Sequence, residues 1–124
     1  MSGYTALKID DIEGAYGGAF KRVRASLGVE SFGMQVIDMP ANADQYPEHD
    51  HAGDGQEEVY VTLAGGGVMT VAGDDVTLAA DTVIRVGPGV VRKVAAGSDG
   101  LRLLVVGGVP GKAYEAPEFS KLEA

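Results

Sequence analysis

The residue types that could do chemistry are concentrated in one short stretch of this sequence. Its only two histidines, His49 and His51, stand two residues apart, and Glu57 and Glu58 follow shortly after. Side-chain direction repeats every second residue on an extended strand, so both imidazoles would point to the same face. Two neutral imidazoles and a carboxylate from a neighbouring strand form an N,N,O ligand set for a divalent metal ion.

The other acidic residues around this cluster are interpreted as solvated turn or edge charges. They are Asp44, Glu48, Asp50 and Asp54. The strand period predicts that Asp50, between the two histidines, faces away from them. No serine-histidine-acid arrangement is indicated, because both histidines are already assigned to the metal cluster.

Composition excludes several classes of function. A chain of 124 residues predicts one domain with a single core. It contains no cysteine, which excludes disulfides, thiol chemistry and cysteine-bound zinc. Its net charge of −8 argues against a nucleic-acid partner, because binding the phosphate backbone needs a basic surface.

Hydropathy argues against a membrane partner. Residues 103–109 form the longest apolar run, far too short to span a bilayer. The first residues show neither the basic nor the apolar region of a secretory signal. The sequence therefore predicts a soluble protein of the cytoplasm.

Short β-branched runs separated by glycine-rich turns indicate an all-β fold. The predicted strands are 32–39, 46–51, 58–63, 68–71, 76–78, 83–86, 91–95 and 101–106. The predicted turns are 53–55, 65–67, 73–75, 87–89 and 97–100, each rich in glycine. Residues 20–27 fit either a short helix capped by Gly28 or an extra strand, and an irregular tail is expected after Pro110.

The strand 58–63 has two different faces. Val59, Val61 and Leu63 alternate with Glu58, Tyr60 and Thr62. If Glu58 faces a polar cavity inside a small barrel, the opposite valine and leucine face needs its own cover. The N-terminal segment or a second subunit could supply that cover, and we expect a homodimer.

The stretch PEHDHAGDGQEEVYVTLAG, from Pro47 to Gly65, resembles the first motif of the cupin superfamily. In that motif HxH precedes a glutamate that lies seven residues before a glycine. His49 and His51 match the histidines, and Glu58 lies seven residues before Gly65. The loop before the glutamate is about two residues longer than usual in the motif, which leaves Glu57 as a rival ligand.

The second cupin motif is matched less closely by ADTVIRVGPGVVR, from Ala80 to Arg92. Gly89 matches the motif glycine, but Arg92 stands where the motif has its histidine, and Ala96 where it has its asparagine. A guanidinium has no lone pair to offer a metal, so Arg92 cannot replace the missing imidazole.

This resemblance implies an all-β, cupin-type double-stranded β-helix or jelly-roll barrel. We expect residues 1–124 to form one domain, with a barrel core at about 32–106, an N-terminal arm at 1–31 and a C-terminal tail at 107–124. The implied ligands are His49, His51 and Glu58, for a divalent ion such as Fe, Mn, Zn or Ni. A site with only three protein ligands leaves coordination positions open for water or substrate.

Two further residues are candidates for catalysis. Arg92 could clamp a substrate carboxylate, or it could pair with Glu57 or Glu58, or point outward beside Lys93. Tyr60 could donate a proton, or it could be a packing aromatic whose hydroxyl is hydrogen-bonded. Tyr46 is expected to line or cap the cavity with it, and Met34, Met39 and Met69 fit an apolar lining.

The predicted function is metal-dependent chemistry on a small organic acid or carbonyl compound, either oxygen-dependent cleavage or proton-transfer isomerisation or cyclisation. The alternative is a non-catalytic protein that binds or senses a small anion through Arg92 and the histidines, without metal.

Overall fold

Antiparallel β-structure dominates the computed structural model, which describes residues 3–122. The strands are β1 (Gly14–Ala15), β2 (Phe20–Lys21), β3 (Gly33–Met39), β4 (Glu57–Val71), β5 (Asp74–Leu78), β6 (Val83–Val86) and β7 (Arg92–Gly108). The strands are ordered β1-β2-β3-β7-β4-β5, and β6 pairs with residues 58–61 of β4 on the edge opposite β7. Short 3-10 turns lie at Ile9–Asp11, Tyr16–Gly18 and Glu118–Ser120.

Strands β4 and β7 are long because each continues through a bend. Their pairing shifts register between Thr62 and Ala64 and again between Gly65 and Gly67. A side chain at Gly65 would put its Cβ 2.0 Å from the carbonyl oxygen of Gly100, and one at Gly67 would put it 2.2 Å from that of Ala95. Glycine is therefore required at these two positions, where the paired backbones of β4 and β7 approach most closely.

The prediction of turns at 65–67 and 97–100 is wrong, because both segments lie inside β4 and β7. The predicted strands 58–63 and 68–71 are one strand, as are 91–95 and 101–106. Glycine marks a bulge or a close backbone approach as readily as a reversal, and its pattern alone does not separate them. The turn at 73 is present: Ala72 and Gly73, both with positive φ, join β4 to β5.

The prediction of a strand at 46–51 is also wrong. His49 forms one isolated antiparallel bridge with Arg92. Pro47 has no N–H to continue a ladder, and the Asp50 carboxylate instead accepts a hydrogen bond from the backbone N–H of Ala52. The segment is therefore a loop pinned to the start of β7.

The two faces of β4 differ as the alternation predicts. Glu58, Tyr60 and Thr62 are buried, whereas Leu63 on the opposite face is exposed. The main core lies on the inner side and includes Phe20, Ile37, Tyr60, Met69, Leu78, Val86, Val94, Leu103 and Val105. The barrel interior thus holds both the core and the buried glutamate.

The outer face carries an apolar row across four strands. Strand register places Val36 beside Leu104, Leu104 beside Val61, and Val61 beside Val83. We call these four residues the outer row. Its Val36 end is covered by Ile12 and by Val23, but Val83, at the other end, is 64% exposed.

Residues 20–27 contain both of the structures that the sequence allowed. Strand β2 is followed at once by a five-residue helix, α1 (Val23–Leu27), which ends at Gly28 with φ 83°. The N–H of Gly28 closes the helix on the carbonyl of Arg24 at 2.9 Å. No helix within residues 3–122 has the length and apolar character needed to cross a membrane.

Candidate metal centre

Glu58 is the second residue of β4; its side chain lies in the barrel interior and is 5% exposed. Its neighbour across the sheet is Gly107 of β7, where an added Cβ would lie 3.2 Å from the Glu58 side chain. This glycine gives the carboxylate the space it occupies. The rival residue Glu57 points to the surface and accepts a hydrogen bond from Arg85 at 2.9 Å.

The two histidines come from the pinned loop, and their backbones are held in place. His49 exchanges two backbone hydrogen bonds with Arg92, and the N–H of His51 donates to the carbonyl of Pro88 at 2.7 Å. The rings lie 5.1 Å apart between centroids, edge to face. Both therefore face the same space although they are not on a regular strand.

The Nδ1 atom of each imidazole is already used. His49 Nδ1 lies 3.0 Å from the carbonyl oxygen of Pro47, and His51 Nδ1 lies 3.1 Å from both carboxylate oxygens of Asp54. Carbonyl and carboxylate oxygens only accept, so in both neutral rings Nδ1 carries the proton. The Nε2 lone pairs are then free to bind a cation.

Those lone pairs point at Glu58. Its Oε1 lies 3.2 Å from His51 Nε2 and 3.7 Å from His49 Nε2. His51 Nε2 is buried and has no hydrogen-bond partner. Two lone pairs facing a carboxylate repel one another unless a proton or a metal ion lies between them.

The separations suit one shared ion. The ligand atoms of His49, His51 and Glu58 all lie within 4.8 Å of one another, so the three side chains could hold a metal. Two atoms that are each about 2.1 Å from one ion lie about 3–3.5 Å apart at usual coordination angles. The two distances to Glu58 are close to that range.

The surroundings keep Glu58 ionised. Burial alone would raise the pKa of Glu58, but the hydrogen bonds that protonated His49 and His51 would donate, together with the one from Tyr60, outweigh it and hold the pKa well below its usual range. The same carboxylate acts on His51: a protonated ring would donate to Glu58 from Nε2, and this raises the pKa of His51 despite its burial. The centre therefore presents a carboxylate, with either a proton or a cation shared among the ligands.

Tyr60 and Arg92 both lie close to the Glu58 carboxylate. The Tyr60 hydroxyl donates to Glu58 Oε1 at 2.7 Å. Burial, and to a smaller extent the negative charge of Glu58, raise the pKa of Tyr60. Arg92 Nη1 lies 3.5 Å from the same oxygen, and Nη2 donates to the carbonyl of Gly87 at 3.1 Å. Arg92 is 0% exposed, and its Nε and Nη1 make no hydrogen bond.

A cavity of about 690 Å³ opens beside the ligand atoms. Tyr46, His49, His51 and Glu58 line one part of it. The rest is formed by β2, β3, the segment 39–47 and the C-terminal segment, which contributes Phe119. Tyr60, which was expected to line this space, lies instead in the core.

Sequence reasoning missed two parts of the site. Asp54 was interpreted as a solvated charge, yet it accepts the Nδ1 proton of His51; its position three residues after that histidine was the available indication. Phe119 lies close to Phe20, with ring centroids 5.3 Å apart, and Arg22 donates to its carbonyl oxygen. Nothing local in the sequence indicates this distant contact. Among the methionines, Met39 lines the cavity and Met69 lies in the core, whereas Met34 packs against the group of Ile12, Val23 and Val36.

Comparison with known proteins establishes the family. The family model described as "Cupin domain" matches residues 35–107, more than half of the chain. The chain belongs to the cupin family. This confirms the resemblance drawn from the motifs and the predicted jelly-roll barrel fold.

Solved structures agree on the fold. A cupin protein from Bacteroides fragilis is 22% identical, with a TM-score of 0.75 over 100% of this chain and 98% of that one. A predicted oxalate decarboxylase from Thermotoga maritima is 19% identical, with a TM-score of 0.66 over 85% and 99%. A cupin-superfamily sugar phosphate isomerase from Silicibacter pomeroyi is 18% identical, with a TM-score of 0.68 over 83% and 74%. No curated protein sequence matches this chain.

Proposed function

We propose that this cupin binds one divalent metal ion through His49, His51 and Glu58 and acts on a small organic acid or carbonyl compound. One observation carries the proposal: both imidazoles have Nδ1 occupied and turn Nε2 toward one buried carboxylate. Two nitrogen lone pairs and a carboxylate at this distance repel one another, so a cation between them would stabilise the arrangement. The mixed imidazole and carboxylate set suits Fe, Mn, Zn or Ni.

A metal ion with only three protein ligands would have open coordination positions for substrate or water, and two reaction classes use such a centre. When bound, the ion would polarise an oxygen of the substrate or acidify a bound water. Oxygen-dependent cleavage and proton-transfer isomerisation or cyclisation both use such a centre. The structural relatives carry names from different reaction types, oxalate decarboxylase and sugar phosphate isomerase, so they do not choose between these classes.

The chain's own residues would prepare the site for this chemistry. Asp54 and the Pro47 carbonyl fix the tautomers of the two rings. Tyr60 and Arg92, proposed from the sequence as catalytic, contact Glu58 Oε1 and are not among the residues that line the cavity, which favours a role in positioning that carboxylate. Tyr46 lines the cavity and packs against His49 at 5.8 Å between ring centroids, so its hydroxyl is the better-placed candidate proton donor.

Metal content tests the proposal. Protein purified without a histidine tag should contain nearly one ion per chain by elemental mass spectrometry. His51→Ala should lose the ion and keep its β-sheet circular dichroism, since this loop residue adds nothing to the core. Metal-free wild-type protein that takes up no ion on incubation with Fe, Mn, Zn or Ni salts would contradict the proposal.

A second function is favoured by Arg92. Its guanidinium already lies 3.5 Å from Glu58, so it could neutralise the carboxylate without a metal and leave the histidines to bind an anion. This reading predicts stoichiometric binding of a small carboxylate by chelator-treated protein. Loss of that binding in Arg92→Gln, together with wild-type protein that contains no metal as purified, would support this function over the metalloenzyme.

We also propose that the protein is a cytoplasmic homodimer. The open end of the outer row, at Val83, supports an apolar contact between two copies.

A further inference from the structure

We propose that the cavity takes an organic monoanion with an apolar body, such as an aryl-substituted or branched alkyl acid, in preference to a diacid or a sugar phosphate. The position of the charged head group rests on the proposed function. The selection for an apolar body comes from the cavity wall and is argued separately.

The wall away from the ligand atoms is mostly apolar, with Phe20, Ile37, Met39, Ala43 and Phe119 in its lining. The uncharged polar residues Tyr16, Gln35 and Gln45 also line the cavity. At about 690 Å³ the cavity could enclose a ligand much larger than a two- or three-carbon acid, since small-molecule sites measure about 300–1,000 Å³. A ligand without apolar surface would leave this wall in contact with water.

The charges in the wall disfavour a second anionic group. Among the described residues that line the cavity, the only charged ones besides histidine are Asp38 and Glu58. Neither lysine nor arginine is part of that lining. Asp38 follows Val36 by two residues and therefore turns its side chain to the outer face, where it pairs with Arg102, whose Nε lies 2.6 Å away. A second carboxylate or a phosphate would meet no cation there.

The ligand end of the cavity, in contrast, favours one negative charge. The positive charge of Arg92, whose Nη1 lies 3.5 Å from Glu58 Oε1, offsets the negative charge of Glu58. The charge of a bound divalent ion would then be left largely uncompensated by protein groups. An anionic head group is therefore favoured at the ion, and the absence of lysine and arginine along the wall limits the ligand to that one anionic group.

Phe119 makes the apolar wall testable without disturbing the metal ligands. It belongs to the C-terminal segment, lies close to Phe20 and is half exposed. Its main-chain carbonyl accepts the hydrogen bond from Arg22 at 2.9 Å, so truncating its side chain leaves that tether in place.

The test is a calorimetric titration with four probes, on metal-loaded and on chelator-treated protein of measured metal content. Phenylpyruvate carries one charge and an aryl body, pyruvate lacks the body, oxaloacetate replaces it with a second carboxylate, and fructose 6-phosphate carries a phosphate. We expect phenylpyruvate to bind about tenfold to a hundredfold more tightly than pyruvate, because its ring is buried against the wall. Oxaloacetate and fructose 6-phosphate should bind no more tightly than pyruvate.

Variants of the wall should change this preference in opposite directions. Phe119→Ala should lower the affinity for phenylpyruvate several-fold and leave pyruvate unchanged. Ala43→Lys should strengthen oxaloacetate binding, and Ala43→Met, which adds a chain of similar length without charge, should not.

The outcomes separate this inference from the proposed function. Tighter binding of oxaloacetate or fructose 6-phosphate than of phenylpyruvate, or equal binding of phenylpyruvate and pyruvate, overturns the inference even if one metal ion is present. Protein that takes up no metal overturns the proposed function. A preference for phenylpyruvate in that metal-free protein would still support the apolar selection.

Discussion

At the scale of single residues, the decisive feature is the orientation of two imidazole rings. Each ring has its Nδ1 proton accepted by a neighbour in the same loop, Pro47 for His49 and Asp54 for His51. Both Nε2 atoms therefore face Glu58 as lone pairs. An outer partner that fixes the tautomer is as much a part of the centre as the ligand itself.

The choice between the adjacent glutamates gives the first prediction. Glu58→Gln should weaken metal affinity by more than the roughly 10–100-fold that loss of an outer-shell partner costs, because it removes a charged ligand. Glu57→Gln is the matched control and should have little effect, since Glu57 pairs with Arg85 at the surface. Competition with a chromophoric chelator measures both. Equal losses of metal affinity in the two variants, or a larger loss in Glu57→Gln, would contradict the assignment of Glu58 as the ligand.

Asp54 gives the second prediction at this scale. Asp54→Ala removes the acceptor for His51 Nδ1 and should reduce metal affinity about tenfold, near the lower end expected for an outer-shell partner. Asp50→Ala removes a carboxylate from the same loop that caps only a backbone N–H. Metal affinity in Asp50→Ala should stay within about twofold of wild type, because outer-shell losses are specific to groups that contact a ligand. A parallel loss in both variants would mean that loop rigidity, not the tautomer of His51, sets the affinity.

At the scale of elements, the bend in β4 and β7 brings the parts of the site together. The first half of β4 supplies Glu58, and the start of β7 supplies Arg92, which also holds the backbone of His49. The close crossing at Gly65 and Gly67 lets one pair of strands serve both layers of the barrel.

The third prediction concerns this crossing. Gly65 and Gly73 both have positive φ, but only Gly65 lies against another backbone. Gly73→Ala should cost about 1–2 kcal/mol through its left-handed conformation alone. Gly65→Ala should cost about 1–3 kcal/mol more, because the strands must move apart. Urea unfolding measures both values, and equal costs would show that the crossing tolerates a side chain.

The sequence predicted the convergence of His49, His51 and Glu58 better than it predicted the elements. Histidine is rare in this chain, and the seven-residue spacing to Gly65 in the cupin motif favoured Glu58 over Glu57, which agrees with the burial of Glu58. The glycine runs at 65–67 and 97–100 were mistaken for turns, because glycine serves both close crossings and reversals. The loop at 46–51 was mistaken for a strand, since the two histidines converge through separate backbone contacts instead of through strand alternation. Contacts between distant segments, such as Phe119 with Phe20, leave no local pattern.

At the scale of the whole molecule, the outer row remains partly uncovered. The N-terminal segment and α1 pack against Val36 and Leu104, but the row continues to the exposed Val83. Leu63, on the same face of β4, is also exposed at 38%. A self-complementary apolar strip of this kind suits a symmetric contact between two copies.

The fourth prediction is therefore a dimer that depends on Val83. Light scattering after size exclusion should give about twice the chain mass of 12.8 kDa for wild type. Val83→Glu should give the single-chain mass, because a charge would be buried in the contact. Val91→Glu, at another exposed valine outside the outer row, should remain dimeric. A monomeric wild-type protein would contradict the proposed homodimer.

The central claim is that His49, His51 and Glu58 share one metal ion inside the cupin barrel. Anomalous difference maps from crystals of untagged protein, recorded across the iron, nickel and zinc edges, test it most directly. We expect one peak within bonding distance of both Nε2 atoms and the Glu58 carboxylate, with Arg92 displaced from direct contact with the ion. A map without a peak, with Arg92 hydrogen-bonded to Glu58 and water between the rings, would contradict the claim.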